Sequence, residues 1–212
     1  MPGKVKRKPS MILTPSEKTK NFNLYEDIKK SPLYKKPVTK RDDIARDFLE
    51  KAADRIKPGS RIVPGQLLMF QYFNPKTKEE LEYYDAAPVT IFFGIYTAKE
   101  GKRIIGFNIH YIPPRTRWRV MDAIFRLYRP IFLKYFDSGI YKEIDAFDYQ
   151  YLMEELERAK LKFCVRQYDP QRMANVFNIQ PQCYTAACYT EGWFKKQTRQ
   201  QILNHWSKLK MK

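Results

Sequence analysis

The sequence predicts an α+β fold: a small antiparallel SH3-like sheet or barrel flanked by helices, with an extended basic N-terminal arm. Three observations carry this. Short runs of β-branched and aromatic residues separated by turn residues follow one another over residues 64–111. Segments with apolar residues at helical spacing stand on both sides of that block. Residues 1–38 show neither period and hold five prolines among scattered lysines. The chain of 212 residues, 43% apolar, therefore divides into an arm, 1–38, and a single α+β domain, 39–212, with its sheet core at 64–111 and its helical part at 112–212.

The arm still carries Phe22, Tyr25 and Tyr34 among other apolar residues, so it is expected to order against a neighbouring surface rather than to act as a plain linker. A helix is expected over 40–56, with Thr39 and Asp42 as its capping pattern, Ile44, Phe48, Leu49, Ala52 and Ile56 at helical spacing, and Pro58-Gly59 as its end. Gln66–Phe73, Val89–Tyr96 and Arg103–Tyr111 read as strands, the last two joined by a hairpin at Thr97–Lys102 that contains Gly101. Pro113-Pro114 opens a helix reaching about residue 128, since proline is comfortable in a first helical turn. A further helix is expected over 148–160 with Asp148 as cap, then a strand at Leu161–Tyr168. Asp169-Pro170 reads as the start of a short helix with Met173, Val176 and Phe177 on one side. Gln180–Gly192 is irregular, and Thr198–Lys208 closes the chain as a short basic helix.

Charge is the strongest functional signal. Lys and Arg number 40 against 23 acids, a net charge of +17, which raises the local concentration of any polyanion. The excess is concentrated at residues 1–40 (net +8) and 191–212 (net +5), so two basic ends flank a nearly balanced body. Basic terminal segments commonly meet nucleic acid; the other readings are solvated tails and docking on an acidic protein. Lys4, Lys6, Arg7 and Lys8 precede no apolar run of the kind a signal peptide carries, and no stretch approaches the roughly 18 apolar residues of a membrane span. Cys164, Cys183 and Cys188 make an odd count with no CxxC pair, which points to reduced thiols.

Within the helix at 114–128, Arg115, Arg119, Asp122, Arg126 and Arg129 fall on one stripe about 80° wide, beside an apolar stripe of Trp118, Met121, Phe125 and Tyr128. Arginines so spaced suit several phosphates, which the guanidinium binds in bidentate fashion. The plainer reading is a solvated face with Asp122 pairing to Arg119 or Arg126. Near the C-terminus, Lys195, Lys196, Arg199 and Lys208 are interleaved with Trp193, Phe194 and Trp206. Such a mixture tracks a nucleic-acid backbone and stacks on bases at single-stranded ends. Equally, the three aromatics serve as packing anchors for the last helix.

The signs of catalysis are sparse. His110 reads as a structural, hydrogen-bonded histidine, and neither it nor His205 has triad partners at a recognisable spacing. A metal-dependent nuclease would draw on Asp145, Asp148, Glu154 and Glu155, but the adjacent glutamates diverge by about 100° on a helix. No phosphate-binding glycine loop is present, and no cofactor is expected.

Four pieces of sequence carry a family resemblance: Pro64-Gly65-Gln66-Leu67-Leu68-Met69-Phe70, then Asn74-Pro75-Lys76-Thr77, then Tyr83-Tyr84-Asp85 with Pro88, then Gly106-Phe107-Asn108-Ile109-His110-Tyr111-Ile112-Pro113. In this order, followed by an arginine-rich helix, they resemble the DNA end protector family of tailed bacteriophages. The resemblance covers about 64–129, with a weaker echo over Leu161–Ile202, and leaves the first forty residues and 130–160 outside. It implies a non-enzymatic virion protein that binds the ends of packaged double-stranded DNA and shields them from exonucleases, present in the host cytoplasm during assembly. Gly106 and Asn108, which fit the pattern, equally serve a bulge or a turn. Arg115, Arg119, Arg126, Arg129, Lys195, Lys196, Arg199 and Lys208 are then the expected nucleic-acid contacts. Lys4, Lys6, Arg7, Lys8, Phe22, Tyr25 and Tyr34 form an arm for neighbouring subunits. The other reading is a structural connector of the neck, tail or capsid interior, partnered by portal, neck or tail proteins or by further copies of itself.

Overall fold

The structure, a computed structural model, describes residues 38–57, 62–73, 84–99, 101–132, 146–195, 197–198 and 200–204. The expectations for the arm and for the last residues of the chain lie outside them, as does the segment Asn74-Pro75-Lys76-Thr77.

Helix α1 spans Val38–Ala52. It begins ahead of Thr39, which therefore sits inside the first turn rather than before it, and it stops short of Ile56. Ala45 and Leu49 face the core, whereas Ile44 and Phe48 remain 38% and 48% exposed. Strands follow: β1 (Asp54–Arg55), β2 (Leu67–Tyr72), β3 (Tyr84–Asp85), β4 (Val89–Ala98) and β5 (Gly101–Asn108). A single 3₁₀ turn, Ile109–Tyr111, leads into α2 (Pro114–Leu127), and α3 covers Ala146–Arg158. Then come β6 (Val165–Tyr168), a 3₁₀ turn at Pro170–Arg172, β7 (Met173–Ile179), the short α4 (Tyr184–Ala187) and β8 (Phe194–Lys195). Residues 200–204 are helical.

Six strands form one antiparallel sheet in the order β1-β7-β2-β4-β5-β6, and β3 pairs with β8 in a separate ribbon. The expected hairpin joins β4 to β5, with Gly101 at φ +116° in its turn. Two sequence expectations are corrected. The run after Asp169-Pro170 is not a helix: the proline starts one 3₁₀ turn, and Met173–Ile179 extends as β7 beside β2. Its Val, Phe and Ile favour a strand by type although their spacing suits a helix, and pairing with the open edge of β2 decides between them. The sheet thus draws on β1, β6 and β7 from outside residues 64–111. Nor is the sheet a closed barrel, for among the described residues no ladder joins its edge strands β1 and β6.

It is nevertheless strongly coiled. In a flat sheet β2 and β6, with two strands between them, would lie about 14 Å apart. The Tyr168 ring on β6 instead sits 5.0 Å from Phe70 and 5.2 Å from Tyr72, both on β2. The inner side of this curl is a small core of Leu68, Phe70, Tyr72, Phe92, Ile104 and Tyr168. The outer side carries the main core, where Leu67, Ile91, Phe93, Ile105 and Phe107 meet residues of α1, α2 and α3. Each such fully buried side chain contributes about 1.5–3 kcal/mol. Gly106 permits the tight β4–β5 pairing: a Cβ there would lie 2.0 Å from Thr90 Cγ2, next to the register shift at Phe92/Gly94.

Candidate nucleic-acid interface

Helix α2 is two-sided, as its sequence requires. Met121, Ile124, Phe125 and Tyr128 are buried, and Arg115, Arg119, Arg126 and Arg129 are exposed. Arg129 lies just past the helix end, in a helical turn at 129–132. The arginine stripe is therefore real and faces solvent, running about 16 Å from Arg115 to Arg126 at 1.5 Å per residue. Among the described residues only Arg126 of the four pairs with a carboxylate, that of Asp122. Arg119 lies over the Trp118 ring, 5.1 Å from its centroid. Lys195 is exposed on β8. Lys196, Arg199 and Lys208 lie outside the described residues, as do Lys4, Lys6, Arg7, Lys8, Phe22, Tyr25 and Tyr34.

A fifth arginine of α2 behaves differently. Arg117 continues the buried stripe of Met121, Ile124 and Tyr128 by helical spacing and is 0% exposed. Its Nε donates to the Ile112 carbonyl at 2.9 Å, and its Nη1 donates to the carbonyls of Cys188 (3.2 Å) and Thr190. The guanidinium thereby ties the start of α2 to the segment after α4. Sequence reading missed it; the available signal was an arginine at a core position of an otherwise consistent stripe.

The motif residues Asp85, Asn108 and His110 converge next to it. His110 Nδ1 donates to Asp85 Oδ2 at 2.6 Å, Asn108 Nδ2 donates to the same oxygen at 3.0 Å, and His110 Nε2 lies 3.0 Å from Thr190 Oγ1. Asp85 Oδ1 accepts from the backbone N–H groups of Ala87 (3.1 Å) and Trp193 (2.9 Å). Asn108 also caps the 3₁₀ turn, its Oδ1 accepting from the His110 N–H at 2.9 Å. This is the turn role weighed for it in the sequence.

Burial holds the His110 imidazole neutral, its pKa lowered to about 4 against the opposing pull of Asp85; Arg117 and Arg46 push it the same way. For Asp85 burial acts upward, but His110, Asn108 and the Ala87 N–H outweigh it and keep the carboxyl below its usual range. At neutral pH the pair is thus a carboxylate and a neutral imidazole, with the Nε2 lone pair open to the Thr190 hydroxyl. That hydroxyl also has the Ala187 carbonyl within 2.8 Å and donates to one acceptor at a time.

The order carboxylate, imidazole, hydroxyl is that of a hydrolase relay. Here the side chains of Asp85, His110 and Thr190 are shut off from solvent, so no substrate meets them as they stand. What the network does is mechanical: it welds β3, β5 and the 188–195 segment into one unit. Each buried polar group that loses its partner here costs about 1–3 kcal/mol. Of the carboxylates weighed for metal binding, Glu154 and Glu155 both pair with Arg158, Asp148 is buried, and Asp145 lies outside the described residues. All three cysteines are free and buried, and burial raises the Cys188 thiol to about 12 although Arg117 acts the other way. No helix among the described residues is long and apolar enough to cross a membrane.

No curated protein and no solved structure matches the chain. A family pattern does, that of the phage T4 terminal DNA protecting protein, over residues 3–131. The span holds Asp85, Asn108, His110, Arg117 and the four exposed arginines. It also starts within the arm, which the motif resemblance leaves outside, and it stops before the 161–202 echo. With more than half of its length matched, the chain belongs to the phage T4 terminal DNA protecting protein family.

Proposed function

We propose that this protein binds the ends of linear double-stranded phage DNA without chemistry and shields them from exonucleases in the particle. The observation that carries the reading is the solvent-facing row Arg115, Arg119, Arg126 and Arg129 on a helix whose opposite face is locked into the core. Family membership supports it, as does the net charge of +17. A rigid helix presenting guanidinium groups meets phosphates without the cost of ordering its backbone, and such contact is independent of base sequence. Lys195, with Lys196, Arg199 and Lys208, extends the same chemistry, and the arm with Lys4, Lys6, Arg7 and Lys8 contacts neighbours. The coil of β7-β2-β4-β5-β6, with a 3₁₀ turn between β6 and β7, supports an SH3-like reading of the sheet.

Binding to duplex DNA at graded salt tests this. Contact with about six phosphates gives a log–log slope near −5. Changing all four stripe arginines to alanine should flatten the slope by about 3 to 4 and remove protection of linear DNA from exonuclease. An unchanged slope would refute the role of the stripe, and DNA cut by the protein with Mg²⁺ would refute the non-enzymatic reading. A second reading, a connector that engages neck, portal or tail proteins, is favoured by exposed Ile44 and Phe48, one turn apart on α1 directly after the arm. Deleting residues 1–38 then blocks assembly while leaving DNA affinity intact.

A further inference from the structure

The reading of DNA-end binding leaves open how an end is told from the middle of a duplex. The internal phosphodiesters are the same in both places, so contact of the arginine stripe with them does not make the distinction. An end alone offers a terminal phosphate or hydroxyl group and, for a flat ring to meet, the face of a terminal base or a base that has lost its partner.

Trp193 is built to meet such a face. It is 51% exposed, the most exposed tryptophan among the described residues. A tryptophan left in water usually costs something, and a mobile one contributes little to binding. This one is immobilised. Its N–H donates to Asp85 Oδ1 at 2.9 Å and its carbonyl accepts from the Ala86 N–H at 3.0 Å. The next residue, Phe194, pairs with Asp85 across the β3–β8 ribbon and packs edge-on against the buried Tyr111 ring at 5.2 Å. The Arg46 guanidinium covers one indole face, 4.6 Å from the ring centroid. Arg46 is itself pinned, its Nε donating to Asp42 at 3.0 Å and its Nη2 to the Glu191 carbonyl; Asp42 in turn accepts from the Glu191 N–H at 2.7 Å.

With Arg46 over the ring and half the residue still exposed, Trp193 offers an aromatic side chain backed by a cation to an incoming base. A neighbouring cation on the same side completes the site. Trp193 and Lys195 are both exposed and Phe194 between them turns inward, the period-2 alternation of extended chain, which puts the two side chains on the same side. A ring for a base next to an ammonium for its phosphate is the combination that binds unpaired nucleotides. The Asp85–His110–Asn108 network gains a purpose here, since Asp85 holds the Trp193 backbone in place.

We propose that Trp193, backed by Arg46 and flanked by Lys195, is a stacking site for the terminal or unpaired nucleobase of a DNA end. This rests on the DNA-end reading above. The test uses the full chain and three DNA probes: duplex with a short single-stranded extension, blunt duplex, and covalently closed circular duplex of the same length. The expected preference of wild-type protein for the extended end over the circle is about tenfold or more, from one stacked base. Trp193→Ala should abolish that preference while leaving affinity for the circle unchanged, and Trp193→Phe should keep most of it. With 5-iodouracil as the last unpaired base, ultraviolet irradiation should join it to the peptide that contains Trp193. An end preference that survives Trp193→Ala, or a cross-link at another residue, overturns the proposal and leaves the end-binding reading standing. Trp193→Ala that blocks incorporation into particles but not end preference assigns the ring to a protein neighbour and likewise overturns it. No binding to any of the three DNAs overturns the end-binding reading itself.

Discussion

Asp85 accepts four hydrogen bonds inside the protein, from His110 Nδ1, Asn108 Nδ2 and the N–H groups of Ala87 and Trp193. Asp85→Ala leaves Asn108 Nδ2 and the N–H groups of Ala87 and Trp193 without their acceptor, and His110 Nδ1 without a partner in either tautomer. At about 1–3 kcal/mol for each lost acceptor the total is about 4–12 kcal/mol, comparable to the whole stability of a domain. The variant should be largely unfolded. Asp85→Asn is milder and more diagnostic. The amide oxygen can still receive the Ala87 and Trp193 N–H groups, while the amide nitrogen now faces His110 Nδ1. The imidazole must switch tautomer: Nδ1 becomes the acceptor and Nε2–H donates to Thr190 Oγ1, which keeps its bond to the Ala187 carbonyl. Only Asn108 Nδ2 is stranded, and with the weaker neutral bonds the cost comes to about 3 kcal/mol. Urea unfolding measures the two losses. Imidazole ¹⁵N shifts report the tautomer, Nδ1–H in the wild type and Nε2–H in Asp85→Asn, in a chain with only two histidines. A loss below about 1 kcal/mol in Asp85→Ala, or an unchanged tautomer in Asp85→Asn, would refute the account of this network.

Acid should weaken the fold before the carboxylates titrate. The His110 pKa drops from 6.5 to about 4 on folding, so below 6.5 the unfolded chain takes up a proton that the folded chain refuses. Stability then falls as pH drops from 6.5 to about 4, by about 3 kcal/mol in all, while the depressed carboxyl of Asp85 adds its own loss only below 3.8; a urea midpoint that stays flat over that window contradicts this. Gly106→Ala drives a Cβ to 2.0 Å from Thr90 Cγ2 and should cost about 1–3 kcal/mol, most of it recovered when Thr90→Ser removes that methyl, as a double-mutant cycle of melting curves will show. Arg117→Lys loses the fork that reaches the Ile112, Cys188 and Thr190 carbonyls and should destabilise by about 3 kcal/mol, whereas Arg119→Ala on the open face should stay within about 0.5 kcal/mol yet weaken DNA binding. Denaturation and DNA titration of the two variants side by side separate the faces of α2.

Periodicity and charge were enough to place much of this protein. The stripe Arg115, Arg119, Arg126 and Arg129 was legible because a helix that buries Met121, Phe125 and Tyr128 must turn those arginines outward, whatever lies beneath. The β4–β5 hairpin was legible because its turn is local and needs Gly101 at positive φ. The family was legible because motif order survives without coordinates. Contacts between distant residues were not. Whether Met173–Ile179 becomes helix or strand is decided by the free edge of β2, about a hundred residues earlier in the chain. That Arg117 goes inside while its neighbours stay out depends on carbonyls at Cys188 and Thr190. His110 reads as structural from its strand, but that Asp85 and Thr190 are its partners, and that Trp193 is left open beside them, follows only from folding three separated segments together. A one-dimensional pattern fixes which face a residue takes on its own element. The partner on that face is chosen by packing, because burial makes every donor find an acceptor wherever in the chain it lies.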